Sequence, residues 1–314
     1  MKVINIINSR KKPFVSFELV PPLKGSDMSK LYQSIEPLME FEPPFINITY
    51  HRDEEVFREN QDGTFRKVTI TKRPGSVAIA AAIVRNFSVE VVPHLICGGN
   101  SRQKLENDLM DLHFLGIHNV VALRGDAIPV RKYFTPEVNG HQYCCELVQQ
   151  INDMNQGKYL EKELTDVVST DFCVGVAGYP EKHYESPNLH TDIMNLKTKI
   201  DAGADYIITQ MFFDNQKFYD FVNQCREAGI HVPIIPGLKP LSSTKHIEML
   251  PKTFGIDLPE ELMRQIRQCC DDKSIYELGM KWCITQSTQL LQYGVPAIHY
   301  YTMGTAENVK HCYT

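Results

Sequence analysis

The run Asn119-Val120-Val121-Ala122-Leu123-Arg124-Gly125-Asp126 is apolar and rich in β-branched residues until it ends on a cation, a glycine and a carboxylate. Such a run suits a strand buried on both faces, the condition of a parallel sheet covered by helices. In barrels and doubly wound sheets alike, ligands bind where parallel strands reach their carboxyl ends. Arg124 and Asp126 therefore stand where chemistry is expected.

The same unit recurs along the chain. Strand-like runs fall at Phe14 to Val20, ended by Pro21-Pro22, and then at Phe45 to Tyr50, Val89 to Leu95, Phe172 to Gly178, Tyr206 to Gln210, Pro233 to Leu238 and Ala297 to Thr302. Apolar residues at helical spacing lie between them, such as Leu105, Leu109, Leu112 and Leu115 after a capping Ser101, with Gly116 as the stop. Eight strands alternating with helices predict an α/β fold, a single (β/α)8 TIM-type barrel occupying residues 1–314 as one domain. Two further helical patterns, Pro259 to Cys270 and Lys273 to Tyr293, enlarge the unit before the last strand. Polar residues 51–75 form an excursion after the second strand, in which Asp62-Gly63 separates two strand-like pieces. A hairpin is expected there, with a mobile loop as the alternative. No G-x-G-x-x-G follows a strand and no G-x-x-x-x-G-K-[ST] is present, so a dinucleotide fold of the Rossmann type fits less well.

Composition removes several function classes. A net charge of -5, without a basic block interleaved with aromatics, gives nucleic acid nothing to bind. No apolar run approaches the roughly 18 residues of a membrane span, and the start lacks a signal-peptide core, so the expected location is cytoplasmic. Nine cysteines without C-x-x-C, two pairs of them sequence neighbours, read as reduced thiols rather than a disulfide framework.

In a barrel the strand ends converge on one mouth, here carrying Glu18, Thr49, His94, Arg124, Asp126, Tyr179, Gln210 and Tyr301. Each has an ordinary alternative: Glu18 paired with a loop lysine, His94 a satisfied core histidine, Arg124 and Asp126 a structural pair across Gly125, the tyrosines packing aromatics. Polar groups at the same end of so many apolar strands are what argues for an active site. A metal centre drawing on Glu18, His94, Asp126 and His183 is the competitor. No H-x-x-x-H or H-x-H spacing supports it, and no metal is expected.

Taken in order, Phe17-Glu18 with Pro21-Pro22, Asn47-Ile48-Thr49-Tyr50, Pro93-His94-Leu95, Ala122 to Asp126, Val176 to Glu181 with His183, Asp192 with Asn195, Leu196 and Lys199, Ile208-Thr209-Gln210 with Phe212-Phe213, and Tyr300-Tyr301-Thr302 make the chain resemble the methylenetetrahydrofolate reductase family nearly end to end. The resemblance implies an enzyme that reduces 5,10-methylenetetrahydrofolate to 5-methyltetrahydrofolate through a non-covalent FAD. Thr49, His94, Arg124, Gly125, Asp126, Tyr143, Ala177, Tyr179, His183, Asp192, Asn195 and Lys199 would hold the flavin. The residue types agree: Arg124, His183 and Lys199 suit pyrophosphate oxygens, and Asp192 and Asn195 suit hydroxyls. NADH or NADPH would reduce the flavin and leave, and the folate would take its place and accept a hydride from flavin N5. Glu18 matches the general acid that opens the folate ring, Asp126 would lie between flavin and pterin, and Gln210 and Tyr301 would contact substrate. Relatives form homo-oligomers, and the same is expected here. Two other readings are another flavin-dependent barrel, proline-dehydrogenase-like, and a catalytically silent barrel subunit.

The chain also departs from the family pattern. Leu19-Val20 stands where an aromatic pair is frequent, Thr198 where some relatives carry a basic residue, and Met303-Gly304-Thr305 where Asn-Arg is expected, which leaves the folate glutamate tail without its usual arginine. The pattern does not explain residues 51–75. No regulatory domain follows Thr314, so inhibition by S-adenosylmethionine through such a domain is not expected.

Overall fold

Strands form here because short β-branched runs are flanked by prolines, glycines and caps, and they close into a ring because each is followed by a helix that covers its outer face. The computed structural model describes residues 1–128, 133–302 and Val309. Ten strands occur among them: β1 (Phe14–Leu19), β2 (Phe45–Ile48), β3 (Glu54–Glu59), β4 (Phe65–Ile70), β5 (Glu90–Ile96), β6 (Asn119–Leu123), β7 (Cys173–Gly178), β8 (Tyr206–Met211), β9 (Ile234–Leu238) and β10 (Ala297–Tyr301). The helices are α1 (Val3–Ser9), α2 (Ser29–Met39), α3 (Ser76–Asn86), α4 (Arg102–Phe114), α5 (Cys144–Asn155), α6 (Leu189–Asp201), α7 (Asn215–Glu227), α8 (Thr244–Phe254), α9 (Glu260–Ile266) and α10 (Asp272–Tyr293).

Eight strands make a closed parallel barrel in the order β1-β10-β9-β8-β7-β6-β5-β2, the (β/α)8 architecture expected from the sequence. Closure is direct: β1 pairs with β10 in the register Glu18 to Tyr301 and with β2 in the register Glu18 to Asn47. The excursion after β2 is an antiparallel hairpin of β3 and β4, with Gly63 at φ +79° in its turn. Its base is tied to the barrel where Lys24 N–H donates to the Lys72 carbonyl and Arg73 donates to the Pro21 carbonyl.

Two elements went unpredicted. Helix α1 buries Val3, Ile6 and Ile7 against the inward residues Phe14, Phe45, Val92, Val121 and Ile235, which closes the amino-terminal end of the barrel with hydrocarbon. Helix α8 follows β9, and its Pro251 disguises it in the sequence; the proline sits in the last turn, and Gly255 ends the helix at φ +66°. No helix among the described residues is long and apolar enough to cross a membrane, and every described cysteine is free. The Met303-Gly304-Thr305 departure lies outside the described residues.

Candidate active site

Alternation along the strands builds the interior in levels. On β1 the inward series is Phe14, Ser16, Glu18; on β2 it is Phe45, Asn47; on β5 it is Val92, His94; on β10 it is Ala297, His299, Tyr301. The first member of each series is apolar and belongs to the hydrocarbon plug. The second level is polar and buried. Ser16 Oγ lies 2.8 Å from His299 Nδ1, and Asn47 Nδ2 lies 3.2 Å from His94 Nε2. Asn47 Oδ1 and His299 Nε2 have no protein partner there.

Glu18 stands on this polar level. Its Oε2 is 3.7 Å from His94 Nε2, and the Glu18 side chain is 16 % exposed. Burial raises the Glu18 carboxyl to about 8. Burial, then the neighbouring His51, lowers His94 to about 3. Both groups are therefore neutral near pH 7, and the pair is a carboxylic acid beside an uncharged imidazole rather than a salt bridge. A proton is thus held at the Glu18 carboxyl, facing the mouth.

Across the mouth, the residues after β6 turn sharply. Gly125 adopts φ +82°, a conformation suited to glycine, and sits against Ile96, while the Gly98 N–H donates to the Arg124 carbonyl at 2.9 Å. Arg124 does not pair with Asp126. Its Nη1 meets Glu185 Oε2 at 2.6 Å, its guanidinium lies 4.9 Å from the Phe134 ring centre, and its Nη2 is buried without a protein partner. Hydrogen bonding to Arg124 lowers the Glu185 carboxyl. Asp126 is exposed, held by its backbone carbonyl, which accepts from Arg52 Nη1 at 3.1 Å.

The loop after β7 is anchored by Asp192 at the start of α6. One Asp192 oxygen accepts the His183 N–H at 3.1 Å and the other the Ser186 hydroxyl at 2.7 Å. His183 stands edge-on to Tyr179 and stacks on Tyr184, and burial, then the Arg124 charge, lowers it. Lys199 Nζ donates to the Ala177 carbonyl at 2.9 Å and sits 5.9 Å from the Tyr179 ring centre. Tyr143 caps α5 and is 57 % exposed, Asn195 is exposed on α6, and Thr49 Oγ1 lies 3.1 Å from His51 Nε2. Gln210 Oε1 accepts the next amide, Met211 N–H. Tyr301 donates its hydroxyl to the Thr209 carbonyl at 2.6 Å and turns its ring edge to His299.

Most of the expected residues thus fall into two groups, with Thr49, Tyr143 and Asn195 in neither. Glu18, His94, Gln210 and Tyr301 line the β1, β5, β8 and β10 side of the mouth. Arg124, Gly125, Asp126, Ala177, Tyr179, His183, Asp192 and Lys199 line the β6 to α6 side. A cavity of about 480 Å³ opens between α4, α5 and α6, lined in part by His141, Gln149 and Thr198, and contains none of Glu18, Asp126 or Gln210. Sequence reasoning missed Glu185, Arg52 and the second polar level (Ser16, Asn47, His299). Strict alternation inward from Glu18 and His94 is the signal that points to that level. Among the described residues no cluster of His, Cys, Asp or Glu has the arrangement of a metal site.

Comparison with known proteins agrees with the fold. Residues 2–314 match the family model described as methylenetetrahydrofolate reductase. Methylenetetrahydrofolate reductase 1 of Schizosaccharomyces pombe is 30 % identical over 96 % of this chain and 45 % of its own length, so the chain spans about half of that relative. The 5,10-methylenetetrahydrofolate reductase of Pectobacterium carotovorum is 30 % identical over 93 % of this chain and 86 % of its own length. Relatives from Caenorhabditis elegans and Arabidopsis thaliana carry NADPH and NADH, respectively, in their names. A solved structure described as an uncharacterized protein from Clostridium thermocellum that binds two copies of 5-methyl-5,6,7,8-tetrahydrofolic acid shares the fold, with a TM-score of 0.60, 16 % identity, and coverage of 98 % of this chain and 95 % of that one. With its barrel closed and residues 2–314 matched by the family model, the chain belongs to the methylenetetrahydrofolate reductase family.

Proposed function

We propose that residues 1–314 form one catalytic unit that reduces 5,10-methylenetetrahydrofolate to 5-methyltetrahydrofolate, with FAD as cofactor and NADH or NADPH as reductant. The observation that carries this reading is the buried Glu18 carboxyl 3.7 Å from His94, which burial raises to about 8, at the same mouth as the exposed Asp126 side chain. Opening the methylene bridge of the folate requires a proton at the departing nitrogen, and a carboxyl still protonated at pH 7 can supply it. His94 touches Glu18, so we assign it to positioning that acid. Asp126, without a side-chain partner among the described residues, is available to favour the cationic form of the folate electrostatically.

The residues on the β6 to α6 side fit a flavin dinucleotide. Arg124 keeps a buried, unpartnered Nη2 donor, Gly98 and Gly125 let the backbone come close, and Lys199 and His183 stand on the same side. Arg124, His183 and Lys199 would hold the pyrophosphate, with Thr49, Tyr143, Ala177, Tyr179 and Asn195 around the rings and hydroxyls. Asp192, both oxygens engaged, serves chiefly to shape the His183 loop. Bound there, FAD supplies two-electron transfer from nicotinamide to folate. Gln210, whose Oε1 is occupied, has its Nε2 donors left for a pterin acceptor, and the Tyr301 ring forms a wall beside Glu18.

The test is to purify the protein, add FAD, and follow bound-flavin absorbance by stopped flow, first with NADH or NADPH and then with methylenetetrahydrofolate. Saturable FAD uptake, bleaching by a nicotinamide and recovery with the folate are expected. Failure to take up FAD, or recovery that does not depend on the folate, overturns the reading. The relatives' names divide between NADPH and NADH, and the first half of the experiment decides between them.

A further inference from the structure

The ring nitrogen of His94 that faces Glu18 is shared with a third side chain. Strand β2 runs between β1 and β5, and its inward residue Asn47 is the register partner of Glu18. Asn47 Nδ2 lies 3.2 Å from His94 Nε2, and Glu18 Oε2 lies 3.7 Å from the same atom. Asn47 is 1 % exposed and His94 5 % exposed, so this meeting of three side chains is sealed from solvent on the barrel side.

An amide nitrogen only donates, so the hydrogen bond from Asn47 goes to an unprotonated Nε2 and occupies its lone pair. Glu18 carries its proton near pH 7, because burial raises it to about 8. A protonated carboxyl this close to a free imidazole nitrogen would turn and donate to it. With Asn47 in place that lone pair is taken, and the Glu18 hydrogen stays available to a ligand in the mouth, which the partly exposed carboxyl reaches. The other end of the amide, Oδ1, is buried without a partner among the described residues. Leucine would fill the position without orphaning an oxygen, so packing alone does not account for an amide here.

We propose that Asn47 is a positioning residue for folate reduction: by occupying His94 Nε2 it keeps the Glu18 O–H directed at the departing nitrogen of the folate. This rests on the reading of Glu18 as the general acid and extends it by one side chain. The other titratable groups facing the pair are His51, in the segment after β2, and His299 and Tyr301 on β10. Burial, reinforced at His51 by the Arg73 charge, lowers the two histidines, and burial raises the tyrosine well above its ordinary value. None of the three is charged near pH 7, and the pH limb of the folate step belongs to Glu18.

The experiment compares wild type with Asn47→Leu, each loaded with FAD, by stopped flow at pH values spanning the Glu18 titration. Reduction by the nicotinamide is followed first, then reoxidation by methylenetetrahydrofolate. With Nε2 freed, Glu18 must break a hydrogen bond to His94 before donating, so the folate step is expected to slow about 10-fold while flavin reduction keeps its rate. The same bond stabilises the protonated carboxyl, so the pH at which the folate step falls off is expected to move upward. A merely structural role predicts the opposite shift, because a loosened site hydrates Glu18 and draws it back toward its ordinary value. Asn47→Ser, smaller and still able to offer a hydroxyl hydrogen to Nε2, is expected to move both readouts in the same direction by less, and serves alone if Asn47→Leu does not fold. An unchanged folate step, or a limb that stays in place or moves to lower pH, overturns the inference and leaves the proposed function standing. Absence of folate-dependent reoxidation in the wild type overturns the function, and the role of Asn47 falls with it.

Discussion

Glu18 and His94 lie 3.7 Å apart, and burial drives both toward their uncharged forms, the acid up to about 8 and the base down to about 3. A carboxyl in that state donates a proton below about pH 8 and loses that ability above it. Folate reduction in the wild type is therefore expected to fall as pH rises through about 8, while reduction of the flavin by nicotinamide does not show that limb. Glu18→Gln should retain flavin reduction and slow the folate step by about 10²-fold or more, as loss of a general acid does. Stopped-flow traces of the two half-reactions over pH 6 to 9 check this, and a folate step of near wild-type speed in Glu18→Gln would show that another group protonates the ring. The sequence made the identity of such tips legible, because an apolar run that ends on Glu18 or Arg124 stands out by type. It did not show which tips meet. The ordinary alternative for Arg124, a structural pair with Asp126 across Gly125, is not what forms: its guanidinium reaches Glu185 in another loop. His94, implied as a flavin contact, also lies 3.7 Å from Glu18, a neighbour that the sequence did not pair with it. Side-chain reach across a barrel is set by strand register and stagger, and neither leaves a periodic trace in one strand.

At the scale of elements, what was legible is what repeats. The eight barrel strands and the helices covering them carry their apolar spacing locally, and the hairpin of β3 and β4 announced itself through Asp62-Gly63. What was missed lacked local contrast: α1 is short and has no acidic residue in its first turn and no side-chain cap, and α8 contains Pro251. The helix before the last strand makes a contact that periodicity cannot express. Gly279 of α10 packs so closely on the segment after β9 that a Cβ there would lie 2.1 Å from the Leu241 carbonyl oxygen. A backbone oxygen cannot rotate aside, so α10 or the Leu241 segment must move. Gly279→Ala is expected to destabilise the protein by about 1–3 kcal/mol or more, in spite of the better helix propensity of alanine. Denaturant unfolding measures the loss. Unchanged stability would show that α10 is free to shift.

For the molecule as a whole, a barrel that seals one end with hydrocarbon and buries titratable groups near the other has a pH dependence built into its fold. Glu18 has a folded pKa above its ordinary value, so its contribution to stability is fully present below about 4.5 and is lost as pH rises through about 8. His94 and His299 are both lowered to about 3 by burial. Their contribution is present above about 6.5 and is lost as pH falls toward 3, because the unfolded chain binds protons that the folded one refuses. The opposing slopes place maximal stability between these limits. Each group supplies a slope of about 1.4 kcal/mol per pH unit at most. Above about pH 7 the histidines are largely neutral in both states, and among these three Glu18 dominates the titration, so stability is expected to decline from about pH 7 to 8. Glu18→Gln removes the ionisable group and should flatten the decline, leaving the acid limb of the two histidines in place. Unfolding free energies from urea titrations at pH 7, 7.5 and 8 compare the two proteins directly. Parallel slopes would mean that the Glu18 carboxyl is already ionised in the folded state, and the acid at the mouth would have to be sought elsewhere.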